Sequence, residues 1–174
     1  MIHALNINYP GGFEQLSIDV AKSSYRQQVF FYDALGLKIQ ADANADDKLR
    51  GYINLSAALH ATARSLFQVR DAMMVLTAIE EQFPRTLASI KGYEKDFDPL
   101  AKELGDLRYD RLAEFLESVC RDTHAVYVEI QRNQASFREI EILASATNAL
   151  MTAKTQADVA WVISEPKMKT DGSC

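Results

Sequence analysis

Glu117, Cys120 and His124 stand three and four residues apart, so a helix carrying them shows all three on one face. A histidine beside a cysteine lowers the thiol pKa and makes the sulfur nucleophilic. A thiol-dependent enzyme using Cys120 and His124 is therefore one class of function these residues allow. The same spacing also has a structural reading, in which Cys120 is a small apolar side chain beside a helix core and Arg121 pairs with Glu117. The structural reading is preferred, because the chain has only three histidines and nothing else that builds a nucleophile site.

The other familiar chemistries lack their residues. A di-iron bundle needs Glu-x-x-His pairs projecting inward from facing helices, yet Ala57 stands three residues before His60 and Arg121 three before His124. Paired haem ligation by His60 and His124 requires an antiparallel hairpin turning near residue 95, which would bring the two to similar levels; the preferred reading is two hydrogen-bonded flanking residues. There is no Walker loop, no Gly-x-Ser-x-Gly and no Gly-x-Gly-x-x-Gly. No catalytic, cofactor-binding or metal residue is assigned, and no cofactor is expected.

Charge and composition narrow the partners. A net charge of −5 and a pI near 5.2 provide no basic stripe to attract phosphate backbones, so nucleic acid is not an expected partner. No apolar run approaches the ~20 residues of a membrane span, and the first residues lack a basic-then-apolar signal pattern, so a cytoplasmic protein is expected. Cys120 and Cys174 do not make a disulfide framework, which fits a reducing compartment; Cys174 offers a cross-link between two chains on oxidation.

The elements that must position any site read as helices. Tyr52, Leu55, Leu59, Thr62, Leu66, Val69, Met73, Leu76, Glu80 and Phe83 follow one another at intervals of three and four, a helix face over 46–83 that Pro84 ends. Unbroken, it would measure roughly 57 Å, against about 40 Å for a compact globule of this length, so a rod is expected. Ile53, Phe67 and Met74 add a second apolar line and make the buried arc too wide for a two-stranded coiled coil.

A second long helix is expected over 107–153, from Leu112, Leu116, Val119, Thr123, Val126, Ile130, Asn133, Phe137, Ile140, Ala144, Thr147 and Met151. Ser136 with Glu139 resembles a capping box and marks the one place for a break. Val128, Ala135, Ile142 and Ala149 recur every seven residues on its other side, so it should lie between two partners, whether helices of its own chain or a second subunit. An earlier helix is read over 13–35 with Gly36 as its left-handed cap, followed by a polar connector over 37–46. Consecutive helical side chains point ~100° apart, so Val29, Phe30, Phe31 and Tyr32 cannot all face one seam. Residues 1–12 read as an extended arm packed on the body. Short helices are expected within 84–106, one of them begun by Asp98 and Pro99, and a terminal helix from a second capping box at Thr155 and Asp158.

The polar residues Thr62, Glu80, Thr123, Asn133 and Thr147 within the apolar faces read as register-setting groups, with Glu80 beside Arg108 or Arg111.

These readings make an all-α fold: an elongated antiparallel helical bundle forming one domain over 1–165, with a disordered tail over 166–174. The preferred function is a non-enzymatic protein-protein interaction module, an adaptor, chaperone-like factor or regulator that presents apolar helix faces to a protein partner. Its candidate partner-binding residues are Phe30, Phe31, Val128 and Ile142, and a homodimer would use the same faces. The alternative is an amphipathic lipid- or granule-surface protein, weakened by the lack of Lys/Arg-rich polar faces.

Overall fold

A computed structural model describes residues 6–45, 53–67, 97–132 and 137–164. All its elements are helices, and the fold class is all-α. The helix expected over 13–35 is two helices, α1 at Gly12–Lys22 and α2 at Tyr25–Ala45. Two serines divide them. Ser23 is extended (φ −74°, ψ 167°), and its hydroxyl donates to the Val20 carbonyl at 2.7 Å. The Ser24 hydroxyl accepts the Gln27 N–H at 3.1 Å and so caps the start of α2. Serine bonding to nearby backbone competes with helix continuation, and here it outweighs the apolar periodicity that runs across the break.

Gly36 is not a cap, and 37–45 is not a connector. The helix runs through both to Ala45 because Ile39 and Ala43 are buried one turn apart and Lys38 pairs with Asp42 at i+4. Over 6–9 the arm before α1 has no regular secondary structure, with Ile7 and Tyr9 buried and the Tyr9 hydroxyl donating to Asp19 at 2.6 Å; 1–5 lie outside the described residues.

Within the face expected over 46–83, Ile53–Phe67 is helix α3; 46–52 and 68–83 lie outside the described residues, as do Glu80 and its proposed arginine contact. α3 lies antiparallel to α2: the Ser56 hydroxyl donates to the Gly36 carbonyl at 2.7 Å, and His60 meets Asp33 one turn away on each helix. α4, Asp98–Gly105, begins one residue earlier than a cap at Asp98 would give, with Pro99 in its first turn. It follows the direction of α2, for Phe97 meets Phe31 at one end and Asp106 pairs with Lys38 at the other. A short helix over 84–93 and the tail over 166–174 also lie outside the described residues.

The helix expected over 107–153 is a hairpin. α5, Tyr109–Arg132, and α6, Phe137–Ser164, pack along each other in opposite directions, with the Cys120 thiol 3.6 Å from the Thr147 carbonyl. The reason is visible in the apolar pattern: a helix apolar on two sides needs two neighbours, and folding back supplies them, since α6 packs on both α5 and α3. Its stripe of Leu143, Ala146, Leu150, Ala153 and Ala157 is buried. The separate terminal helix is absent as well. Thr155 lies inside α6, its hydroxyl donating back to the Met151 carbonyl at 3.0 Å instead of capping a new start.

The core centres on Phe31, which places its edge or face against Tyr32, Phe97 and Phe115 at centroid distances of 5.2, 6.4 and 6.2 Å. α1 runs beside α5 in the same direction, joined by Phe13 with Phe115 and by the Ser17 hydroxyl donating to Asp122 at 2.6 Å. Among the described residues, no helix is long and apolar enough to cross a membrane.

Candidate functional site

α2 carries residues of opposite use on its two sides. Phe31, Tyr32, Leu35, Ile39 and Ala43 turn inward and are buried. On the other side, Phe30, Ala34, Leu37 and Ala41 follow at intervals of four, three and four, which aligns them along one face. Phe30 is 52% exposed and Leu37 58% exposed; Ala41 is exposed and Ala34 half-buried. The Arg26 guanidinium lies 5.8 Å from the Phe30 ring centroid, at the head of this ridge.

The four expected partner-binding residues do not share this surface. Phe30 is on it. Phe31, expected beside it, belongs to the core with no exposure, because a step of ~100° carries it to the inward side. Val128 is half-buried on α5, and Ile142 is in α6 with its side chain outside the description. Leu37 is the ridge residue that sequence reasoning missed. The signal was present in its spacing of seven from Phe30, but a helix ended at Gly36 placed it in a loop.

The residues with chemical potential are held in other roles. Cys120 is buried, its thiol directed at the Thr147 carbonyl. Burial pushes its pKa up, and the Glu117 carboxylate adds to the rise, so it is the opposite of an activated thiol. His124 is exposed and stacks on Tyr127 at 5.6 Å. Arg121 reaches toward Asp122, and Lys154 of α6 feels Glu117 from across the hairpin. His60 does not meet His124 as the haem arrangement required; its Nδ1 lies 3.0 Å from Asp33 Oδ1.

Asp33, His60 and Ser56 superficially gather the residue types of a hydrolytic triad. The Ser56 side chain is buried and its proton is given to the Gly36 carbonyl, so no hydroxyl is offered to His60 or to solvent. The helices cross closely at Gly36. A Cβ there would lie 3.0 Å from two atoms of the His60 ring.

The threonines expected to set register between helices act mostly within them. Thr62 donates to Ala58 O at 3.0 Å and Thr147 to Leu143 O at 2.7 Å, each satisfied by its own preceding turn. Thr123 differs: its buried hydroxyl and that of Tyr32 lie near each other without a well-formed bond. Burial, followed by the nearby Cys120, drives the Tyr32 phenol far above its ordinary pKa, while the Thr123 hydroxyl works weakly in the other direction. Asn133 lies outside the described residues.

Among the described residues, no group of three or more His, Cys, Asp or Glu side chains is arranged to hold a metal ion. Compared with known proteins, the chain matches no family model, no curated protein and no solved structure.

Proposed function

We propose that the chain is a non-enzymatic helical interaction module, an adaptor, chaperone-like or regulatory factor, whose protein partner docks on the outer face of α2. The observation that carries this reading is the exposure of Phe30 and Leu37, two large apolar side chains seven residues apart on one helix face. Single exposed hydrophobic residues are ordinary, whereas apolar residues aligned at helical intervals are how helices are recognised by grooves and by other helices. The commitment of Cys120 to a buried hydrogen bond and of Ser56 to the Gly36 carbonyl supports the non-enzymatic part. Phe31 and Val128 are no longer part of the docking surface. The module acts in a reducing cytoplasm, where Cys120 stays a thiol.

The test is a photo-reactive phenylalanine analogue placed at position 30, with a second at the exposed position 121 as control. The reading expects one protein adduct of defined mass from position 30, absent from position 121 and lost in Leu37→Ser. Flotation with phospholipid vesicles in the absence of any protein partner would replace it with the lipid-surface alternative.

A further inference from the structure

We propose that the channel between α1 and α4 is a peptide-binding site, filled by residues 6–9 as an intramolecular ligand, which takes in their place a protein segment carrying an aliphatic residue two positions before a tyrosine. The site is separate from the α2 ridge and stands without it. Burial alternates along the arm: Asn6 and Asn8 are exposed, while Ile7 and Tyr9 are buried. Alternation of this kind lets a peptide rest along a groove with every second side chain entering it. Pro10 favours the same course, because a residue before proline is steered away from the helical region.

The two walls recognise different parts of the arm. From α4, the Glu103 carboxylate accepts the Asn8 backbone N–H, a contact open to every residue type except proline. From α1, one Asp19 oxygen accepts the Tyr9 hydroxyl at 2.6 Å and the other accepts the Gln15 side-chain amide at 2.9 Å. Asp19 has no solvent exposure. A buried carboxylate placed to take a phenol separates tyrosine from phenylalanine, because an occupant without the hydroxyl withdraws a donor from a charge that water does not reach. The arm enters the channel through a glycine turn. Gly11 and Gly12 have φ of 88° and 70°, and the Gly12 N–H donates to the Tyr9 carbonyl at 2.8 Å. A Cβ at Gly11 would lie 2.5 Å from the Gln15 Cβ. Substitution there works against the docked arm while Ile7, Tyr9, Asp19 and Glu103 all remain in the chain. The tethered arm competes at an effective concentration of about a millimolar, so a separate segment binds weakly until the arm is displaced.

The probe is the end-capped peptide Asn-Ile-Asn-Tyr-Pro, the sequence of residues 6–10, titrated into the isotopically labelled full chain and followed by amide chemical shifts. Gly11→Val should bind it about tenfold more tightly than the unaltered chain, with shifts centred on α1 and α4. The same peptide with phenylalanine in place of tyrosine should bind that variant about fivefold more weakly. Tyr9→Ser, which removes the anchor of the arm without crowding the turn, is the second displaced form and should also bind more tightly than the unaltered chain; circular dichroism confirms the fold of both. Folded variants that bind no better than the unaltered chain overturn the proposal. Equal affinity for the tyrosine and phenylalanine peptides overturns it as well, and so do shifts confined to helices other than α1 and α4.

Discussion

Tyr32 and Cys120 are kept neutral by the same burial, and this makes the fold sensitive to alkali. Both groups have pKa values raised in the folded chain, so unfolding lets them release protons that the native state retains. A native state that binds more protons loses stability as pH rises. The loss begins near pH 8.5, where a free thiol ionises, and steepens near pH 10 for the phenol. Lys38, whose pKa is raised by Asp42 and Asp106 against an opposing effect of burial, adds loss on the same side above about pH 10.4. Asp110 acts at the acid end. The Arg108 hydrogen bond lowers its pKa, so its contribution is present above about pH 3.9 and disappears below that. Tyr32→Phe should leave stability at pH 7 within about 1 kcal/mol, since the hydroxyl it deletes lacks a well-formed partner, and should flatten the alkaline limb of a urea-midpoint against pH curve. An unchanged limb would mean that Tyr32 does not hold its proton through burial. Cys120 should react with a maleimide only at the rate of local opening, far more slowly than in the denatured chain.

Helices α2 and α6 show where the physics between elements outweighs local propensity. Alanine normally stabilises a helix over glycine by about 1 kcal/mol, yet Gly36→Ala should destabilise this protein by about 1–3 kcal/mol, because the added methyl meets the His60 ring and displaces it from Asp33. In a His60→Ala background the sign should reverse; equal effects in both backgrounds, measured by chemical denaturation, would show that the helices do not cross at this point. On α6, Leu143→Ala and Leu150→Ala should each cost about 2–5 kcal/mol, whereas Met151→Ala on the exposed side should stay within about 0.5 kcal/mol. Those residues also mark what could be read in advance. The all-helical class, the arm containing Ile7 and Tyr9, and the need of the later helix for partners on two sides were legible, because apolar spacing reports which side of a helix is dry. The break at Ser23 and the continuation through Gly36 were not, and the start of α6 at Phe137, next to the Ser136 capping-box pattern, was marked only as the one place for a break. A serine or glycine reads alike in a cap and in a helix interior until the neighbour that claims its hydroxyl or its missing Cβ is known. Asp33 and His60, 27 residues apart, leave no periodic signal at all.

The arrangement of the whole chain turns on which helix lies against α3. Two unbroken long helices in an antiparallel hairpin would set α3 beside the 109–132 segment, with His60 near the level of His124. The structure sets α3 beside α6 instead, and α6 then separates α3 from α5 over their shared core. That layering also determines the surface: with α3, α4 and the aromatic core covering the inner side of α2, only its outer side is left to present Phe30 and Leu37. Ser65 on α3 and Ser145 on α6 provide the decisive pair. Their hydroxyl oxygens lie 3.2 Å apart at the surface, 80 residues apart in sequence. Replacing both with cysteine in the Cys174→Ser background should give an intramolecular disulfide on mild oxidation, detected as a mass loss of two hydrogens in a single chain. Closing so long a loop restricts the unfolded chain, which corresponds to about 4 kcal/mol of added stability if the native geometry accepts the bond without strain. The competing hairpin would put Ser65 level with the middle of α5 and far from Ser145, where oxidation could link only separate molecules. A monomeric, oxidised and stabilised double variant therefore requires α6 in the position described, while exclusive intermolecular linkage would return α3 to the side of α5.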